Sequence, residues 1–129
     1  KLNNIIEIVM CIMNNYGFLN IINDINIENT SVELHYANSS NGKCVFPWSG
    51  IHNDNCNGIL VNTLICYFDV NCTGGNLAIY DNDENILSKI DVSTKSSNKK
   101  IIMFTGDVIH NPLELVNGHR YALSFQIPL

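Results

Sequence analysis

Arg120-Tyr121-Ala122-Leu123-Ser124-Phe125-Gln126-Ile127, close to the end of the chain, alternates without a break between two kinds of side chain. Successive residues of a strand point to opposite faces, so Tyr121, Leu123, Phe125 and Ile127 make one apolar face. Arg120, Ala122, Ser124 and Gln126 make a second, small and polar face. The apolar face must be covered. The polar face has two readings, solvent or the wall of a wet cavity, and the residues by themselves lean slightly towards solvent.

Upstream segments repeat the strand signal. Ser31 to Asn38 places Val32, Leu34 and Tyr36 on one face and Glu33 and His35 on the other. Ile59 to Asp69 is a long strand, and Thr73-Gly74-Gly75 is a hairpin signal that sends Asn76 to Tyr80 back. Asp81 to Asn85 is a turn, Ile86 to Ser93, Ile101 to Thr105 and Ile109 to Leu115 are further strands, and Asn117-Gly118 is a turn before the last. Phe18 to Ile27 reads as one strand or a bent pair. Asn38 to Gly50, with Pro47 and Trp48, reads as a loop carrying a short strand into the next segment, Trp48 being core or substrate wall.

Only residues 3 to 15 have helical spacing, with apolar positions 5, 6, 9, 12 and 13, widened by Ile8 and Met10. Gly17 is a fitting terminator. Many of these residues are β-branched, so the helix needs an apolar surface to lie on. One leading helix and about eight short strands predict a mostly β body, a jelly roll or small barrel, with the helix supporting one sheet.

Composition bounds the rest. At 129 residues the chain fits one domain spanning 1–129. With 46% hydrophobic and 15% charged residues it is globular rather than disordered, and no apolar run is long enough to span a membrane. A net charge of −5 offers no field for nucleic acid, and the run Lys95 to Lys100 reads as a solvated loop. Five cysteines without Cys-x-x-Cys spacing fit reduced thiols in an intracellular, cytoplasmic protein. The chain starts at Lys1 without an initiator Met, as expected of an excised or trimmed piece, which leaves open whether a targeting segment was lost.

Ile51-His52-Asn53-Asp54-Asn55 carries the chemistry. In an extended segment His52 and Asp54 project to the same side. One further imidazole from a distant strand, His110, would complete two histidines and one carboxylate, a facial iron site that leaves positions open for substrate and oxygen.

The order of the parts is more specific than any one of them: His52-x-Asp54, a strand, Gly74-Gly75-Asn76-Leu77, Phe104, His110, then Gly118-His119-Arg120-Tyr121-Ala122-Leu123. This order resembles the iron(II)- and 2-oxoglutarate-dependent oxygenases, in their prolyl-hydroxylase-like branch, over about residues 34 to 127. The resemblance implies a double-stranded β-helix, a jelly roll of eight strands. It implies His52, Asp54 and His110 as iron ligands and Arg120 as the anchor for the distal carboxylate of 2-oxoglutarate, with Tyr67 on the same carboxylate and Tyr36 lining the pocket. The resemblance implies Fe(II), 2-oxoglutarate and O2, with ascorbate as an auxiliary reductant, as the cofactors, and a peptide or protein, with a prolyl residue as one candidate position, as the substrate rather than nucleic acid or membrane. Tyr67 reads equally as a buried aromatic with a satisfied hydroxyl, and His35 and His119 as surface residues. The chain lacks the Pro-x-x-Gly turn of many relatives before the distal histidine, having Ser96-Ser97-Asn98-Lys99-Lys100 there. A non-catalytic jelly-roll binding module is the alternative from another class. A cupin-type metal protein ranks last, since His52-x-Asp54 lacks the second nearby histidine and downstream glutamate.

Overall fold

The computed structural model describes residues 2–18, 20, 29–39, 50–55, 57–94 and 100–129. Most of the expected strand over Phe18 to Ile27, the loop around Trp48 and most of the basic run Lys95 to Lys100 therefore lie outside the described residues.

Helix α1 spans Leu2–Asn15. Its end is set by Gly17, which takes φ 77°. The Phe18 amide reaches back to the Met13 carbonyl at 2.7 Å and the Gly17 amide to Asn14 at 3.3 Å, a Schellman closure that satisfies carbonyls the helix leaves open. Val9, Met13 and Phe18 are buried against Leu64, Cys66, Phe68, Leu123 and Phe125. Met10 and Ile12 pack at the edge of this cluster, whereas Ile8 is 57% exposed and does not widen the buried stripe as expected.

Among the described residues seven strands follow: β1 (Ser31–Asn38), β2 (Val61–Gly74), β3 (Leu77–Tyr80), β4 (Ile86–Ile90), β5 (Lys100–Thr105), β6 (Ile109–Pro112) and β7 (Leu115–Pro128). They form two antiparallel sheets, ordered β1-β7-β2-β5 and β4-β3-β6. His52 adds an isolated bridge to His110 at the free side of β6. The pairings are nested: β1 with β7, His52 with β6, β2 with β5 and β3 with β4. The chain thus runs as one long hairpin with its tip at Asp81 to Asn85, and the added pairings of β7 with β2 and β6 with β3 roll it into two sheets. At the tip, Asp81 Oδ1 accepts the amides of Asp83 and Asn85, both at 2.9 Å.

The larger sheet is covered on both sides. Helix α1 lies on one face, and on the other Ile65, Tyr67, Ile102 and Ala122 share a core with Leu77, Ile79 and Ile90 of the smaller sheet. Burial on both faces explains why β2 is continuously apolar from Leu64 to Phe68 rather than alternating. The two sheets are not closed into a barrel. Among the described residues no helix is long and apolar enough to cross a membrane.

Two expected turns are not turns. Thr73-Gly74-Gly75 does not fold β3 back on β2, because Gly74 still pairs with Leu115 while Leu77 pairs with Ile90 and Pro112 in the other sheet. Gly74 and Gly75, each at φ 73°, carry the chain from one sheet to the other. Asn117-Gly118 lies inside β7, where Gly118 has φ 90° and pairs with Cys72. A Cβ on Gly118 would strike the Asn71 carbonyl and come within 2.8 Å of Cys72 Cα, so this glycine permits close strand approach rather than reversal.

Candidate metal centre

The smaller sheet fixes the two histidines by their backbones. His52 N donates to His110 O at 3.0 Å and His110 N to His52 O at 2.8 Å, which brings the ring centroids to 4.4 Å. Extended pairing holds at His52, but the chain then bends, and Asp54 is placed by other contacts. The amides of Asp54 and Asn55 both donate to Gly106 O, at 2.9 and 3.1 Å, and Gly106 N donates to Val61 O at 2.7 Å. Asn55 Oδ1 accepts Val61 N at 3.1 Å. Gly106 fits there because a Cβ would collide with Asn55 Oδ1 and approach Val61 O to 2.8 Å.

The three side chains converge. His52 Nε2 is 3.6 Å from Asp54 Oδ1 and His110 Nε2 is 3.7 Å from Asp54 Oδ2. One donor atom from each lies within 4.8 Å of the others. Each imidazole uses its second nitrogen on a backbone carbonyl: His52 Nδ1 is 2.8 Å from Gly50 O and His110 Nδ1 is 2.9 Å from Val108 O. A carbonyl only accepts, so Nδ1 carries the proton in both rings and the Nε2 lone pair faces the site. The remaining member is held by Thr63, whose hydroxyl donates to Asp54 Oδ2 at 2.6 Å. Burial lowers the His110 pKa, opposed by its bond to Val108 and by the Asp54 charge, so the ring is the neutral form that a metal requires. The residues fit a divalent first-row metal: two imidazole lone pairs and one carboxylate, with outer partners that fix each ligand.

A cavity of about 760 Å³ opens in front of these groups. Its wall includes Arg120, Ala122, Ser124 and Gln126 of β7, so the polar face of the last strand lines the cavity instead of meeting solvent. The sheet register explains this, since Ala37 sits beside Arg120 and Tyr67 beside Ala122 on a face that the second sheet covers. Arg120 is only 2% exposed. Its guanidinium donates to the Gly75 carbonyl and lies 5.1 Å from the centre of the Tyr67 ring. Among the described residues no carboxylate is within ion-pairing distance of it. A buried cation without a counter-ion, facing a cavity, is costly unless an anion enters. Burial raises the Tyr67 pKa, with Arg120 opposing, so the phenol keeps its proton.

Other positions differ from expectation. Tyr36 does not line the cavity; it is 46% exposed on the opposite face, with its ring 4.8 Å from Tyr121 and 6.4 Å from His119. The reason is strand phase: Ala37, opposite Arg120, takes the inward position, which turns Tyr36 outward with Tyr121. His35 accordingly faces the cavity rather than solvent, with Nε2 at 2.9 Å from Glu33. His119 lies outside, 3.6 Å from Asp69. The roles of Thr63, Gly106 and the Gly50 and Val108 carbonyls have no signature in the sequence beyond Thr63 sharing the alternation of Tyr67. Backbone carbonyls are invisible to any reading of side chains.

No protein-family model and no curated protein matches the chain. Among solved structures, a prolyl-4-hydroxylase from Pseudomonas putida is similar with a TM-score of 0.45 and 16% identity. The match covers 87% of this chain and 61% of that one, so this chain spans less than two thirds of that protein's length.

Proposed function

We propose that this chain is an iron(II)- and 2-oxoglutarate-dependent dioxygenase built on a double-stranded β-helix. The observation that carries the reading is the meeting, in one cavity, of three metal-competent donors and a buried arginine with no carboxylate partner among the described residues. The nested strand pairing, with His52 counted as a further strand, supports the jelly roll, because such a fold is a rolled-up hairpin of eight strands.

In this reading His52, Asp54 and His110 hold the iron. When bound, iron(II) would activate O2, the oxidant, one oxygen atom entering succinate as 2-oxoglutarate loses CO2 and the other hydroxylating a second substrate, a prolyl residue in a peptide being the first to test. Arg120 binds the distal carboxylate through its planar fork. One nitrogen is already fixed on Gly75, so the group is oriented before the ligand arrives. Tyr67 stacks beneath the guanidinium and offers a neutral hydroxyl to the same carboxylate.

The test is anaerobic titration with iron(II) and 2-oxoglutarate, watching for the weak visible charge-transfer band, followed by succinate release in air with candidate peptides. Iron binding without a band or turnover would favour the non-catalytic binding module. No iron binding at all would remove the basis of the assignment.

A further inference from the structure

The three donor side chains are anchored in two different ways, and the anchor on Asp54 differs in kind from that on the two histidines. His52 and His110 are each tied through the nitrogen not facing the site, by carbonyls of residues two positions earlier, Gly50 and Val108. Asp54 is tied at the backbone by Gly106 O, which fixes where its Cα sits. What the backbone leaves free is rotation of the carboxylate, and that rotation decides whether one oxygen or both are offered to a metal. Thr63 acts on it. Its hydroxyl, on β2, donates to Oδ2 at 2.6 Å.

Thr63 is fully buried. It sits in a sheet register opposite Phe104 and Gln126, and Phe104 packs edge-on against the His110 ring at a centroid distance of 4.8 Å. A buried hydroxyl needs a partner, and Asp54 is the acceptor the structure gives it. A hydrogen bond to an ionised oxygen is among the stronger kinds and is directional.

We infer that Thr63 is a positioning residue that holds Asp54 by Oδ2, so that the carboxylate serves a metal through Oδ1 alone. This inference rests on the iron reading above. Monodentate ligation matters because a facial site keeps three open positions only while each protein ligand takes one, and a carboxylate free to turn takes two. A cosubstrate that chelates through two atoms, together with oxygen, needs all three. Thr63 thus keeps a place open on the metal from outside the ligand set.

The test compares Thr63→Val, which matches threonine in shape, with wild type, and Thr63→Ala with Thr63→Ser, a pair that differs only in the hydroxyl. Each is checked for folding by thermal unfolding and titrated anaerobically with iron(II), then with 2-oxoglutarate by the visible band. Cobalt(II) absorption reads coordination without turnover. Wild type and Thr63→Ser are expected to share one cobalt spectrum. Thr63→Val and Thr63→Ala should shift that spectrum and bind 2-oxoglutarate about tenfold or more weakly, the loss of one charge-assisted hydrogen bond. If Thr63→Val does not fold, the alanine and serine pair carries the comparison. The same spectrum and the same 2-oxoglutarate affinity in hydroxyl-bearing and hydroxyl-free variants would overturn the role of Thr63 alone. Wild-type protein that binds neither iron nor cobalt would overturn the metal centre and, with it, this role.

Discussion

At the scale of single residues, burial and partner decide what each group can do. His110 is the sharpest case, since burial lowers its pKa from the ordinary 6.5. Below about pH 6.5 the unfolded chain takes up a proton that the folded, metal-free chain resists, so stability is full above that pH and declines as pH falls towards the lowered value. Unfolding midpoints of the metal-free protein in denaturant at about pH 7.5 and about pH 5 should show this decline, and His110→Ala should weaken it. The same variant should fold yet bind no iron in calorimetry. Arg120 separates function from stability in the opposite sense. Arg120→Met should keep iron affinity within about twofold and raise the 2-oxoglutarate requirement about ten- to a hundredfold. Its thermal midpoint should be unchanged or higher, because it removes a buried cation that has no carboxylate partner among the described residues. Cysteine reactivity follows burial too. Burial pushes Cys66 up to about 12, and Cys11 is exposed. Peptide mapping after brief alkylation of the native protein should find Cys11 modified and Cys66 intact.

At the scale of elements, alternation and the Asp81 to Asn85 turn were legible, whereas the role of the glycine-containing turns was not. The strand phase of Arg120 to Ile127 follows from the residues alone, because apolar positions at period two leave only one way to bury them, whereas Leu64 to Phe68 are apolar on both faces. Glycine pairs are ambiguous, since the same left-handed backbone serves a hairpin, a crossover or a close strand approach. Gly118 belongs to the third kind. Gly118→Ala would place a methyl against the Asn71 and Cys72 backbone, which cannot yield as a flexible side chain would. It should lower stability by about 2 kcal/mol or more, read by chemical denaturation. Tyr36 was misplaced for a related reason. Its strand alternates correctly, but Val32, Leu34 and Tyr36 look more like a core face than Glu33, His35 and Ala37 do. The structure instead turns Glu33, His35 and Ala37 towards the cavity, because Ala37 pairs beside the inward Arg120.

At the scale of the whole molecule, the larger sheet separates two kinds of cluster. One face with helix α1 makes a packing cluster, and the other, with the second sheet, makes both core and site. Changes on the helix side should therefore alter stability and spare the site. Met13→Ala, at a fully buried position, should cost about 2–5 kcal/mol in denaturation while leaving iron affinity as in wild type. A parallel loss of iron affinity in the folded variant would show the two faces to be coupled through β2 and β7.

The sequence by itself determined the mostly β class of structure and singled out the side chains that converge on the candidate metal centre, because side-chain period and residue chemistry are local properties. A leading helix, a series of short strands, His52-x-Asp54, His110 and Arg120 can all be read without coordinates. Only the tertiary structure decided which face of β7 is wet, which glycines turn the chain, and what holds each ligand. Those depend on what the second sheet covers, on contacts between segments far apart in sequence, and on backbone carbonyls that every residue carries alike. Gly106 O fixing Asp54 and Val108 O fixing His110 are of that kind.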